Sequence, residues 1–164
     1  MMSLSYNVIA ALQGCTLATA ESCTGGQIGA ALTAIPGSSQ IYKGGIISYT
    51  NEIKVCHLNV PPELLEREGA VSASVAEAMA EGVRKSFNTD IAVSVTGLAG
   101  PAGDEFGNPV GTVFLGYADA KKTLSRKYHF DGDREFVRTE AVRAALYLLL
   151  EETCSYREKV DRIY

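Results

Sequence analysis

Three short segments of this chain carry side chains whose types and spacing could do chemistry. The first is Glu21-Ser22-Cys23-Thr24-Gly25-Gly26, which follows an apolar run and opens a helical pattern. Free N–H groups at a helix start attract anions, and glycine lets a ligand approach the backbone, so Thr24, Gly25 and Gly26 read as substrate-binding positions. The second is Gly37-Ser38-Ser39, at the exit of the same helix. The third is Tyr49-Thr50-Asn51-Glu52-Ile53-Lys54. A lysine acts as a general base only where burial or a cationic neighbour lowers its pKa towards neutrality, and Tyr49 could relay a proton or orient it. Each segment also has a plain structural use: a helix cap, a polar helix exit, and a strand-end tyrosine with a solvated lysine.

The remaining inventory narrows the chemistry. His57 and His129 are the only histidines, which argues against a Ser-His-Asp triad and against a multi-histidine metal site. If a serine is the nucleophile, lysine is the more suitable activator. Ser39 precedes the segment that carries Tyr49 and Lys54, and this order favours it as the nucleophile. Ser22 lies where anion donors are expected, which suits binding or oxyanion stabilisation. Arg134, after Asp131-Gly132-Asp133, could clamp a phosphate or carboxylate bidentately; in the plainer reading Asp133 caps the last helix. The Thr96-Gly97 turn leaves its strand in a polar, glycine-rich loop and is a further candidate binding contact. Neither a Walker loop nor a dinucleotide fingerprint occurs. Cys15, Cys23, Cys56 and Cys154 form no C-x-x-C pair, and only Cys23 lies within a candidate site.

These segments need a scaffold. The chain has 164 residues, 46% hydrophobic and 21% charged, which is an ordinary globular balance. The net charge of −4 offers no broad basic face for nucleic acid. No run approaches a membrane span and no basic leader opens the chain, so a cytoplasmic protein with reduced thiols is expected. No linker divides the sequence, and residues 1–164 read as one domain.

Apolar periodicity predicts helices near residues 5–12, 28–35 and 51–57, a helical turn at 63–67, a helix behind a Ser74-x-x-Glu77 capping box, and a last helix after Asp133. Strands are predicted at 16–20, 45–50, 91–95, 112–118 and 123–130, the last two as a hairpin. Residues 96–111, rich in glycine and proline, form a long loop of the functional kind. Early alternation of helix and strand followed by a late hairpin predicts an α/β fold, a three-layer α/β/α sandwich around a mixed sheet of about five strands. In such folds ligands sit beyond the carboxyl ends of the strands. Residues 21–26, 49–54 and 96–111 should therefore converge on one rim.

In order along the chain, Ala20-Glu21-Ser22-Cys23-Thr24-Gly25-Gly26, Gly37-Ser38-Ser39, Gly44-Gly45-x-x-x-Tyr49-x-Asn51-x-x-Lys54, Gly69-Ala70-Val71-Ser72, Thr96-Gly97-Leu98-Ala99-Gly100-Pro101, Pro109-Val110-Gly111-Thr112-Val113 and Gly132-Asp133-Arg134 resemble the C-terminal domain of the competence/damage-inducible (CinA) proteins. The resemblance covers about residues 5–152 and points to the stand-alone form of that domain, a nicotinamide-nucleotide amidase. It implies metal-independent, cofactor-free hydrolysis of nicotinamide mononucleotide (NMN) to nicotinate mononucleotide and ammonia. The family's functional positions fall on Ser22, Ser39, Tyr49, Lys54 and Arg134. A homo-oligomer is also implied, as is the absence of the pyrophosphatase-type activity of a larger N-terminal domain. Asp104 and Asn108 depart from the glycine and lysine common in the family's long loop. Two alternatives remain: a non-catalytic nucleotide-binding or interaction module, and an amidase for another small amide.

Overall fold

The computed structural model describes residues 1–160, with the side chains of residues 154–160 outside the description. Cys154, whose cysteine type reads from sequence as core or incidental, and the charged Arg157-Glu158-Lys159, which reads as a solvated face, therefore lie outside the described side chains. Six helices and five strands follow in the order α1 (Met2–Ala11), β1 (Leu17–Glu21), α2 (Gln27–Thr33), a 3-10 turn (Ser38–Gln40), β2 (Tyr42–Ile47), α3 (Asn51–Leu58), α4 (Pro62–Glu68), α5 (Ala73–Phe87), β3 (Ile91–Gly97), β4 (Thr112–Ala118), β5 (Thr123–His129) and α6 (Arg134–Val160).

The strands form one mixed sheet in the order β2-β1-β3-β4-β5. β1 pairs in parallel with both β2 and β3, and β4 and β5 complete the sheet antiparallel. This is the expected α/β sandwich. Central β1 is buried along its whole length, whereas edge strand β5 is exposed or half-buried throughout. Successive side chains of a strand face opposite layers. Leu17 belongs to the core with α1, α2 and α6, while Ala18 and Ala20 pack with Leu58, Met79 and Val83 from α3 and α5. The small residues let α5 lie close to the sheet. A Cβ on Gly116 of β4 would stand 2.2 Å from the Ala76 carbonyl oxygen.

Several boundaries differ from expectation by a few residues, and two of them bear on the site. β2 ends at Ile47 rather than Thr50, because Ser48 N–H closes the ladder on Glu21 O at 2.8 Å and the chain then turns into α3. Tyr49 thus stands beyond the sheet, on its rim. The cap of α5 is Ser72, not Ser74. Ser72 is extended and its hydroxyl accepts from Val75 N–H at 3.4 Å, which leaves Ser74 inside the first turn.

Candidate active site

Parallel pairing of β1 and β2 brings their carboxyl ends to the same rim. Ser22 is the first residue past β1, and α3 begins four residues past β2, with the Thr50 hydroxyl capping its first turn. Lys54 lies on that first turn and points back beneath the strand ends. It is 1% exposed. Its Nζ lies 3.1 Å from Ser22 Oγ and donates to the Ser48 carbonyl oxygen at 2.6 Å. No carboxylate pairs with it among the described residues. Removal from water disfavours the ammonium, and the Lys54 pKa falls from its ordinary 10.5 to about 8.

Ser22 and Lys54 open into a cavity of about 290 Å³ whose walls include Tyr49, Asn51, Thr96, Gly97 and Arg134. Thr96 is fixed by donating its hydroxyl to Ala70 O at 2.7 Å. Arg134, exposed at the mouth, donates to Tyr49 Oη at 2.9 Å and to Gly100 O at 2.8 Å. Both partners are neutral, so the guanidinium charge is not cancelled and its remaining donors are available to an anion. A second groove of about 420 Å³, beside Phe106, joins the cavity through Asn51, Ala70, Val71 and Leu98.

Ser22, Tyr49, Lys54, Thr96, Gly97 and Arg134 are thus brought together, but three expectations need correction. Ser39 is exposed on the 3-10 turn before β2 and does not line the cavity. β2 leads from that turn to the rim, and its six residues span roughly 20 Å. The anion site at Thr24, Gly25 and Gly26 is already filled from within. The Glu21 carboxylate accepts from Thr24 Oγ1 at 2.7 Å and from the N–H groups of Gly26, Ile28 and Gly29 at 3.0, 3.1 and 2.8 Å. Tyr49 bonds Arg134 rather than Lys54, so it belongs to the mouth of the cavity and not to the base. Cys23 lines the cavity, but burial pushes its thiol pKa up to about 11, and it stays protonated at neutral pH.

Other contributors went unnoticed in the sequence. Glu21 holds the Ser22 turn by accepting from Thr24 Oγ1 and Gly26 N–H, and Arg138 by donating to Cys23 O at 3.0 Å and Thr24 O at 3.2 Å. The available signals were a carboxylate one residue before the serine, and an arginine one helical turn beyond Arg134. The two residues that depart from the family pattern bind each other. Asn108 Nδ2 donates to Asp104 Oδ2 at 2.9 Å and to Val71 O at 3.0 Å, which staples the long loop to the turn before α5. Asp133 accepts from Phe136 N–H at 2.8 Å and caps α6.

Among the described residues, no group of three or more His, Cys, Asp or Glu could hold a metal ion, and no helix is long and apolar enough to cross a membrane. The model of the CinA C-terminal domain matches residues 2–153. A CinA-like protein of Synechococcus sp. (strain RCC307) is 53% identical over 136 residues, 82% of this chain and 33% of that protein. One from Geobacter sp. (strain M21) is 48% identical over 145 residues, 85% of this chain and 35% of the other. The chain therefore spans about a third of the length of these curated relatives. Solved structures of similar size match along nearly their full length. The competence damage-inducible protein A of Klebsiella pneumoniae subsp. pneumoniae superposes with a TM-score of 0.91 at 38% identity, covering 93% of this chain and 96% of that one. The competence/damage inducible protein of Agrobacterium tumefaciens gives 0.87 at 38% identity, covering 92% and 93%. With these matches the chain belongs to the CinA C-terminal domain family.

Proposed function

We propose that the chain is an amidohydrolase that converts nicotinamide mononucleotide to nicotinate mononucleotide and ammonia, with Ser22 as nucleophile and Lys54 as base. The observation that supports it is the buried amine 3.1 Å from a serine hydroxyl, with a pKa near 8 and no carboxylate partner among the described residues. A solvated structural lysine would keep its ordinary pKa of 10.5, and a pure binding site has no need of one lowered towards neutrality.

The Ser48 carbonyl accepts one Lys54 N–H in either protonation state and so fixes Nζ against Ser22. The uncharged amine takes the Ser22 hydroxyl proton as Oγ bonds to the carboxamide carbon. The electron pair of the C=O bond moves onto oxygen, giving a tetrahedral oxyanion. Its collapse expels the amide nitrogen, which takes the proton from Lys54 and leaves as ammonia. Lys54, neutral again, takes a proton from a water as that water attacks the resulting Ser22 ester, and passes it to the departing serine oxygen, while the carboxylic acid formed loses its remaining proton to solvent. The product is the carboxylate. Tyr49 and Arg134 at the mouth supply an O–H and an uncancelled guanidinium for the 5′-phosphate of the nucleotide.

The test is ammonia release from nicotinamide mononucleotide by the purified chain, with a panel of other small amides beside it. Release from the nucleotide that is lost in both Ser22→Ala and Lys54→Ala supports the reading. Release from a different amide alone keeps the mechanism and changes the substrate. No release from any amide leaves the non-catalytic reading.

A further inference from the structure

Arg138 is half-buried on α6, one helical turn after Arg134, and no carboxylate pairs with it among the described residues. Its partners are backbone. Nε donates to the Cys23 carbonyl at 3.0 Å and Nη2 to the Thr24 carbonyl at 3.2 Å, so one planar fork spans the two residues that follow Ser22. Gly25 takes φ +60°, which favours glycine, and a Cβ there would stand in ordinary contact with Nη2 at 3.6 Å. Glu21 ties the same turn to the start of α2, and Gly25 N–H closes it on Ser22 O at 3.1 Å. The turn is thereby gripped through its carbonyls from α6 and through its amides from Glu21.

Two consequences follow from this geometry. A trans peptide points its N–H opposite to its C=O, so pulling the Cys23 carbonyl towards α6 aims the Thr24 N–H away from α6. The positive charge reaches the site as well: Lys54 and Arg138 both pull the buried Cys23 thiol downward, against the desolvation that dominates it.

We propose that Arg138 is a positioning residue for catalysis, which fixes the Ser22 turn and so holds the Ser22 hydroxyl within reach of Lys54. This rests on the reading of Ser22 as nucleophile. Arg134 would then meet the ground-state phosphate, while Arg138 acts on the reacting end without touching the substrate.

The test compares Arg138→Ala, Arg138→Lys and the unaltered chain in two assays, with thermal melting as a fold control. In ammonia release, Arg138→Ala is expected to lower kcat by about 100-fold with KM within about threefold. Guanidinium chloride at tens of millimolar should restore about a tenfold part of that loss, and Arg138→Lys should recover less because it lacks the fork. Guanidinium cannot revive a misfolded protein, so rescue separates positioning from bulk stability. The second assay follows sulfonylation of Ser22 by phenylmethanesulfonyl fluoride, read by intact mass with Ser22→Ala as blank. Arg138→Ala should slow it by about tenfold or more.

Retained kcat and retained labelling in folded Arg138→Ala would overturn the proposal, as would a loss that guanidinium does not restore and that tracks a lowered melting temperature. If no amide is hydrolysed but Ser22 labelling still depends on Arg138, the amidase reading falls and the positioning role stands.

Discussion

Two serine turns of similar sequence character meet opposite fates in this molecule. Ser22 sits at the carboxyl end of β1, where strand, helix start and α6 converge, and its turn is tied down by Glu21 and Arg138. Ser39 sits on a 3-10 turn at the amino end of β2, exposed, with only its carbonyl within 3.5 Å of Lys43 Nζ. Sequence distance misleads here, since Ser39 is nearer to Lys54 along the chain than Ser22 is. In a parallel pair, however, the residues after both strands share a rim, and whatever precedes a strand lies at the far end. Proximity along the chain counts for less than which end of a strand a residue occupies.

The largest effect that would sharpen this contrast is loss of the dyad. Ser22→Ala and Lys54→Ala are each expected to reduce ammonia release by about 10³-fold or more, and the double variant should be little worse than either, because the two act as a unit. A double variant slower by the product of the two losses would separate them. Next in size is pH. The uncharged fraction of Lys54 grows through its pKa of about 8, so kcat should rise about tenfold from pH 7 to pH 9 and then level off. A flat profile across that range would remove Lys54 as the base.

At the mouth, Arg134→Ala should raise KM by about tenfold with a smaller change in kcat, and Tyr49→Phe should raise it less. Steady-state kinetics with the nucleotide and its phosphate-free nucleoside would show it, the difference between the two substrates shrinking in each variant. For stability, the sign for Lys54 is fixed by its lowered pKa. Between about pH 8 and 10.5 the unfolded chain holds a proton that the native one has released, so this group's contribution to stability rises with pH in that window. Lys54→Met should therefore be more stable at pH 7, by about 2 kcal/mol in denaturant melts, and should lose that pH dependence. The smallest effect belongs to the other turn: Ser39→Ala should leave turnover within about twofold and melting unchanged. A loss at Ser39 comparable with that at Ser22 would break the comparison.

The sequence carried a large part of this. Buried β1 and β3 read as apolar runs, the hairpin of β4 and β5 falls where two adjacent strand-like runs joined by a turn placed it, and the motif order identified the family because seven short patterns in sequence are far more specific than one. Lys54 and Ser22 could both be nominated from chemistry. The anion-binding reading of the Thr24-Gly25-Gly26 turn was sound about the donors and missed their occupant, because a carboxylate inside a strand gives no local sign of where it will point. Asp104 and Asn108 stood out only as departures; their mutual bond depends on how the loop between β3 and β4 folds back on itself.

Local order and composition thus determined which elements form and which residue types are available to react, since periodicity and turn chemistry are properties of neighbours. Tertiary structure alone decided which serine meets the lysine and whether that lysine is dry enough to shed its proton. Pairing between strands far apart in the chain sets the first, and the packing of α3 beneath the strand ends, which removes Lys54 from water, sets the second.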